Sequence, residues 1–217
     1  MQKIKLPRKT LVFVAGGPAT GKTTVLEQIV PQIEGVLLVD KDDISDTFLR
    51  TPKKEGQGEY NVRWYRLDGE VRLISSEHYR ENVGQQTYRA MLEIAKTNLR
   101  LGLTPLLQGN YTSQMAEGYF QEVVEPFFEE ANLVPRTKIL FCFADKETIA
   151  ERIRRRNAQR DTAKLSSPEA LQRYLDSQDF LPNALEKLDH VKLNSSTSSV
   201  VENVDRAISY LMGEMGP

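Results

Sequence analysis

One cysteine, two histidines and one tryptophan among 217 residues remove several function classes at the outset. Cys142 has no partner for an internal disulfide. It falls inside the apolar run Ile139-Leu140-Phe141-Cys142-Phe143, where it reads as a small packed side chain. So few histidines and cysteines leave no cluster of the kind that holds structural zinc. No apolar run approaches the roughly 20 residues of a membrane span. Met1 to Thr10 is basic and polar rather than a secretory leader, which predicts a cytoplasmic location. An excess of one charge is missing too. Lys and Arg number 29 against 30 Asp and Glu, so no global field draws nucleic acid or an anionic membrane. Without repeats, low-complexity tails or an evident linker, the length suits a single α/β domain with an elaboration.

What is present is concentrated near the start. Gly16-Gly17-Pro18-Ala19-Thr20-Gly21-Lys22-Thr23 matches G-x-x-x-x-G-K-[ST] in full. Ahead of it Leu11 to Ala15 reads as a buried strand. Behind it Val25, Leu26, Ile29 and Val30 recur at helical spacing. An ordinary glycine turn before a helix is the bland alternative, and the strand–loop–helix context argues against it. The pattern implies a phosphate cradle, in which loop amides and the positive helix end face an anion. Gly17, Pro18, Ala19, Thr20, Gly21, Lys22, Thr23 and Thr24 are therefore candidates for binding a nucleoside triphosphate. Lys22 would reach the β/γ-phosphates and the Thr23 hydroxyl would bind Mg²⁺.

Downstream, apolar runs give strands at Val36–Val39, Thr104–Leu107, Lys138–Phe143 and His190–Leu193. Helical patterns lie between them: from Asp42 or Asp43 to about Arg50, Ser76–Arg100, Ser113–Glu130, Lys146–Arg160, two between Ser167 and Leu188, and Val200–Met212. Alternation of this kind predicts a parallel sheet covered by helices on both faces. Ligands bind outside the carboxyl ends of such strands. That rule puts the glycine loop, Asp40–Asp43, Gln108–Tyr111 and the turn after Phe143 on one rim. Residues 45–100 read as an insertion of the same domain, with Thr51 to Gly58 a loop.

Three groups on this rim carry chemistry. Asp40-Lys41-Asp42-Asp43 follows the second strand, where a carboxylate can orient a hydroxyl acceptor and take its proton. Asp42 is the favoured base, and Asp40 a site-shaping or metal-linked carboxylate; alternatively Asp42 or Asp43 merely caps the next helix. Arg152, Arg156 and Arg160 recur every four residues, a stripe able to neutralise a transferring phosphoryl group. Arg156 and Arg160 are the preferred pair. Glu147 and Glu151 fit the competing reading of a solvated charged face, and the five arginines between 152 and 160 admit a nucleic-acid patch. Asn110 can hydrogen-bond an acceptor substrate, although Gly109-Asn110 also suits an ordinary turn.

Gly16 to Thr24 followed by Val39-Asp40-Lys41-Asp42-Asp43 resembles the small phosphate-loop kinases of the AAA-type predicted-kinase group. Polynucleotide kinase, gluconate kinase, chloramphenicol phosphotransferase and zeta toxins are relatives in it. The resemblance spans about 11–50 and 136–212. It implies a five-stranded parallel sheet of nucleoside-monophosphate-kinase type with a helical lid, here residues 146–180. It makes Asp42 the catalytic carboxylate, Arg156 and Arg160 the lid arginines, and places Asn194 beside the adenine. The implied activity is ATP- and Mg²⁺-dependent phosphorylation of a hydroxyl on a small molecule. A polynucleotide 5′-hydroxyl kinase is the alternative enzyme. Polynucleotide kinases tend to carry an arginine shortly after the acidic motif, where this chain has Ser45. A slow ATP-hydrolysing switch that engages a partner is the alternative outside enzymology.

Overall fold

Leu11–Ala15 is apolar without alternation because the strand it forms is covered on both faces. In the computed structural model, which describes residues 3–51, 70–71, 83–158 and 161–215, every residue of that strand, β1 (Thr10–Ala15), is buried. Full burial of one Leu or Phe side chain contributes about 1.5–3 kcal/mol, so β1 anchors the core. The glycine loop joins it to α1 (Lys22–Ile29). Then follow β2 (Val36–Asp40), α2 (Lys41–Leu49) and the short antiparallel pair β3 (Arg50–Thr51) and β4 (Glu70–Val71). Next come α3 (Gly84–Arg100), β5 (Thr104–Gln108), α4 (Thr112–Ala116), α5 (Glu125–Glu130) and β6 (Arg136–Phe143). The chain closes with α6 (Lys146–Arg156), α7 (Pro168–Asp176), β7 (His190–Asn194) and α8 (Val200–Met212).

The strands form a five-stranded parallel sheet in the order β2-β5-β1-β6-β7. In register, Val14 stands opposite Gln108 on one side and Leu140 on the other. One face carries α1 and α8, whose Leu26, Ile29, Ala207 and Leu211 join Val12, Val14, Leu140 and Val191 in a single cluster. On the other, Phe13 meets Tyr111 and Phe120 edge-on, with ring centroids 5.3 and 4.9 Å apart. The chain divides into two units, Met1–Val39 with Ala95–Pro217, and Asp40–Ile94. No described helix is long and apolar enough to cross a membrane.

The final helix occupies the bounds its periodicity predicts. Its start is fixed by a capping box, in which Ser199 Oγ accepts from Glu202 N and the Glu202 carboxylate accepts from Ser199 N. Two expectations need correction. The helix expected over 146–160 stops at Arg156, because Asn157 turns left-handed (φ 42) and caps it. Arg160 is therefore not on the α6 stripe, and it lies outside the described residues. The continuous helix over 113–130 is instead α4, a π-helical turn (Phe120–Val124) and α5, with Gly118 at φ 76 between the first two. Within the expected 76–100 helix, residues 76–82 lie outside the described set, as do 52–58 of the expected loop.

Candidate functional site

The loop between β1 and α1 is built around two backbone positions that a side chain would destroy. Gly16 has φ 133, and a Cβ there would lie 2.0 Å from the Cys142 carbonyl oxygen on β6. Gly21 has φ 91, and a Cβ there would press on Ser195 at 3.3 Å. Gly16 N also donates to the Asn110 carbonyl (2.9 Å), and Gly109 N to that of Val14 (3.0 Å), so the end of β5 holds the loop's entrance. Inside the loop, buried Thr20 Oγ1 donates to Gly17 O at 2.8 Å. Lys22 Nζ donates to the carbonyls of Gly16 (2.7 Å) and Gly17 (2.8 Å), which lays its ammonium across the turn. Among the described residues no side chain caps α1, and its first turn carries no acid. Thr23 and Thr24 are exposed there. Such an uncapped N-terminus, with a cation beside it, fits an anion. Beneath the loop, burial pushes the Cys142 thiol up to about 12 despite nearby Lys22. It is inert packing.

The far side of the loop is tied down by α6 and the turn after β7. Arg152 Nη1 donates to Ala19 O (3.0 Å) and Ser195 Oγ (2.7 Å), and its Nη2 donates to Ser195 O (2.8 Å). Ser195 Oγ in turn lies 3.0 Å from Thr20 O and 3.3 Å from Phe143 O, either of which can take its proton. Asn194 Oδ1 accepts from Ser196 N (2.9 Å), and its carbonyl accepts from Asn203 (3.0 Å). Ala19, itself at φ 64, packs against the α6–α7 core of Ile149, Ile153, Leu171 and Phe180. Asn110 Oδ1 accepts from Thr112 Oγ1 at 3.0 Å, while its amide nitrogen has no partner among the described residues. Arg156 turns from the loop contacts of Arg152 to pair with Asp161.

In the second unit the acidic group shows which carboxylate caps the helix. Asp42 N donates to Asp40 Oδ1 at 2.8 Å, so Asp40 caps α2 rather than Asp42 or Asp43. Asp42 and Asp43 occupy the exposed first turn. Lys41 is buried, with its Nζ 5.5 Å from the centre of the Tyr88 ring.

A family model described as AAA domain matches residues 11–181, most of the chain and all of the loop just described. The chain belongs to the AAA domain family. No curated protein matches it. Among solved structures, it is similar to a Chloroflexus aurantiacus protein provisionally described as a kinase, at 19% identity and TM-score 0.60, over 95% of this chain and 97% of that one. It is also similar to a gluconokinase from Sinorhizobium meliloti, at 14% identity and TM-score 0.53, over 96% and 95%. At these identities the likeness is one of fold: this AAA-domain chain has the P-loop NTPase architecture that those kinases share.

In this AAA-domain protein the sequence stripe comprises Arg152, Arg156 and Arg160 and favours the last two, yet the arginine tied to the loop is Arg152. Its partners lie 133 and 43 residues away along the chain, and no local pattern announces them. Its place on the stripe one turn before Arg156 was the available signal. Each bond uses a charged donor, so losing the set costs about 2 kcal/mol. Arg152→Ala is expected to lower Tm by about 4–8 °C. Arg152→Lys should recover little, because an ammonium cannot span Ala19 and both Ser195 acceptors as a planar fork does. Thermal melts of the two variants check this; a lysine variant melting like wild type would refute it.

Proposed function

We propose that this chain is an ATP-dependent phosphotransferase that moves the γ-phosphoryl group of ATP to a hydroxyl of a small-molecule acceptor. The observation that carries the reading is the cradle: a glycine loop with Lys22 laid across it, leading into a helix start that no side chain among the described residues caps. Its donors suit the terminal phosphates of a nucleotide, with Gly17 to Thr24 around them and Asn194 on the side of the base. Among the described residues no three His, Cys, Asp or Glu side chains converge. The oxygen donors of Thr23 and Asp40 suit Mg²⁺, which takes few protein ligands and completes its shell with phosphate oxygens and water. Thr23 and Asp40 would hold it, and bound there it would supply neutralising charge for the phosphates.

In this reading the acceptor hydroxyl gives its proton to Asp42 while its oxygen bonds to the γ-phosphorus. The bond from that phosphorus to the bridging oxygen breaks, and ADP leaves. Because Asp40 fills the capping role, Asp42 is available for this one. Lys22 offsets the charge growing on the β–γ bridge, and Arg156 with Arg160 that on the transferring oxygens. Asn110 donates to the acceptor, which residues 45–100 would recognise as an elaboration of the one kinase domain.

The test is ATP consumption with Mg²⁺ across sugars, nucleosides, nucleotide sugars, aminoglycosides and 5′-hydroxyl oligonucleotides, with mass detection of product. One acceptor is expected to gain a phosphate. Asp42→Ala is expected to lower kcat by about 10²-fold with ATP affinity nearly unchanged. Slow hydrolysis that ignores every acceptor and survives Asp42→Ala would leave a nucleotide switch instead.

A further inference from the structure

Asp161 is a fully buried carboxylate with both oxygens committed. Its Oδ2 accepts from Arg156 Nε (2.9 Å) and Nη2 (2.5 Å), and its Oδ1 accepts from Lys164 Nζ (2.8 Å). Backbone bonds hold the carboxylate's own position: Asp161 N donates to Ala158 O (2.8 Å) and Leu165 N to Asp161 O (2.9 Å). Lys164 Nζ also sits 4.5 Å from the centre of the Tyr174 ring. A carboxylate taken this far from water is tolerated only when paired and hydrogen-bonded, and here two cations do so.

The way the bonds are shared matters more than their number. A guanidinium is a rigid planar fork, so binding its Nε and Nη2 to one oxygen fixes the plane of the whole group. The Nη1 end is left pointing away from Asp161, without a partner among the described residues. A carboxylate alone would cancel the charge that makes an arginine useful to a phosphate. Lys164 prevents this, because two cations against one anion leave the cluster net positive. The side chain of Arg156 is 29% exposed, so an outer edge of this cluster meets solvent while its anion does not.

We propose that Asp161 is a positioning residue, which orients the Arg156 guanidinium so that its Nη1 end meets the terminal phosphoryl group of the bound nucleotide. The proposal rests on the phosphotransferase reading above. An arginine already held in its working plane loses little rotamer freedom as charge develops. Lys164 serves by balancing the anion, and needs no contact with the nucleotide.

The experiment is a double-mutant cycle on ATP consumption, with kcat and KM for ATP measured separately for Asp161→Asn, Arg156→Ala and the double variant. Arg156→Ala is expected to lower kcat by about 10²-fold. Asp161→Asn should lower it by roughly 10-fold with KM for ATP within about 2-fold, and the double variant should be no slower than Arg156→Ala alone. Losses that multiply would overturn the proposal, as would faster turnover of Asp161→Asn, which would make the carboxylate a restraint. If Asp161→Asn does not fold, Asp161→Glu takes its place, keeping the charge but displacing it by a methylene. It must show the same lowered kcat and the same non-additivity, or the proposal fails. Wild-type protein that consumes no ATP with any acceptor would sink the phosphotransferase reading itself, and this proposal with it. Wild-type turnover with multiplying losses sinks the proposal alone.

Discussion

Replacing Lys22 with methionine is expected to cut ATP turnover by about 10³-fold, the upper range for losing one donor aimed at developing charge. The ammonium rests 2.7 and 2.8 Å from the Gly16 and Gly17 carbonyls, one residue into α1. Methionine keeps length and packing but offers neither charge nor a donor. The carbonyl of buried Gly16 then loses this partner, while that of Gly17 keeps Thr20 Oγ1, and the loss costs about 1–3 kcal/mol in addition. The variant should therefore fail to turn over and also melt several degrees lower. Single-turnover kinetics beside a thermal melt separate the two effects. Turnover within 10-fold of wild type would remove Lys22 from the phosphate site.

Gly16→Ala is expected to act on the fold itself. At φ 133 an L side chain is strained whatever the space around it, and here there is none: the new carbon would fall 2.0 Å from the Cys142 carbonyl oxygen. The obstacle is backbone near the carboxyl end of β6, where Cys142 stands opposite Leu193 of β7, and it cannot step aside without breaking that pairing. The loop must move instead, and its bond from Gly16 N to Asn110 O goes with it. Combined strain and overlap belong with the rare changes above about 4 kcal/mol, equivalent to a Tm lower by about 10 °C. Nucleotide binding should vanish at temperatures where the variant is still folded. Unchanged melting and an unchanged titration with MgATP would contradict the geometry assigned to this position.

The loop was legible in the sequence because its chemistry is local. Left-handed turns favour glycine, the cation must follow at once, and β1 and α1 are short enough to read from apolar spacing alone. The positions of the strands along the chain were legible for a similar reason, since buried parallel strands leave continuous apolar runs. What escaped depends on contacts between distant segments or on single backbone angles. Nothing near Arg152 reveals that its bonds go to Ala19 and Ser195. Helix periodicity ran on past Arg156 because arginine and glutamine are good helix formers. Asn157 is the one residue there that readily turns left-handed, and that cue was outweighed. Composition offers Asp42 or Asp43 as the cap of α2, whereas the capping oxygen belongs to Asp40, a role all three fit equally well by residue type.

The turn that leaves β7 is knotted at both ends. Ser195 reaches back to Phe143 through its amide and across to Arg152 and the glycine loop, while Asn194 is gripped by Asn203 and Ser199 opens α8 with a closed capping box. Variation in length is thereby confined elsewhere. An inserted residue between 195 and 198 would pull on the phosphate loop through Thr20. The bonds at the exposed Leu101–Gly102 corner, by contrast, are backbone ones that close α3, such as Gly102 N to Leu99 O and Leu103 N to Asn98 O, and none of these runs to the glycine loop. For anyone grafting a new recognition loop onto this scaffold, the first position is closed and the second open.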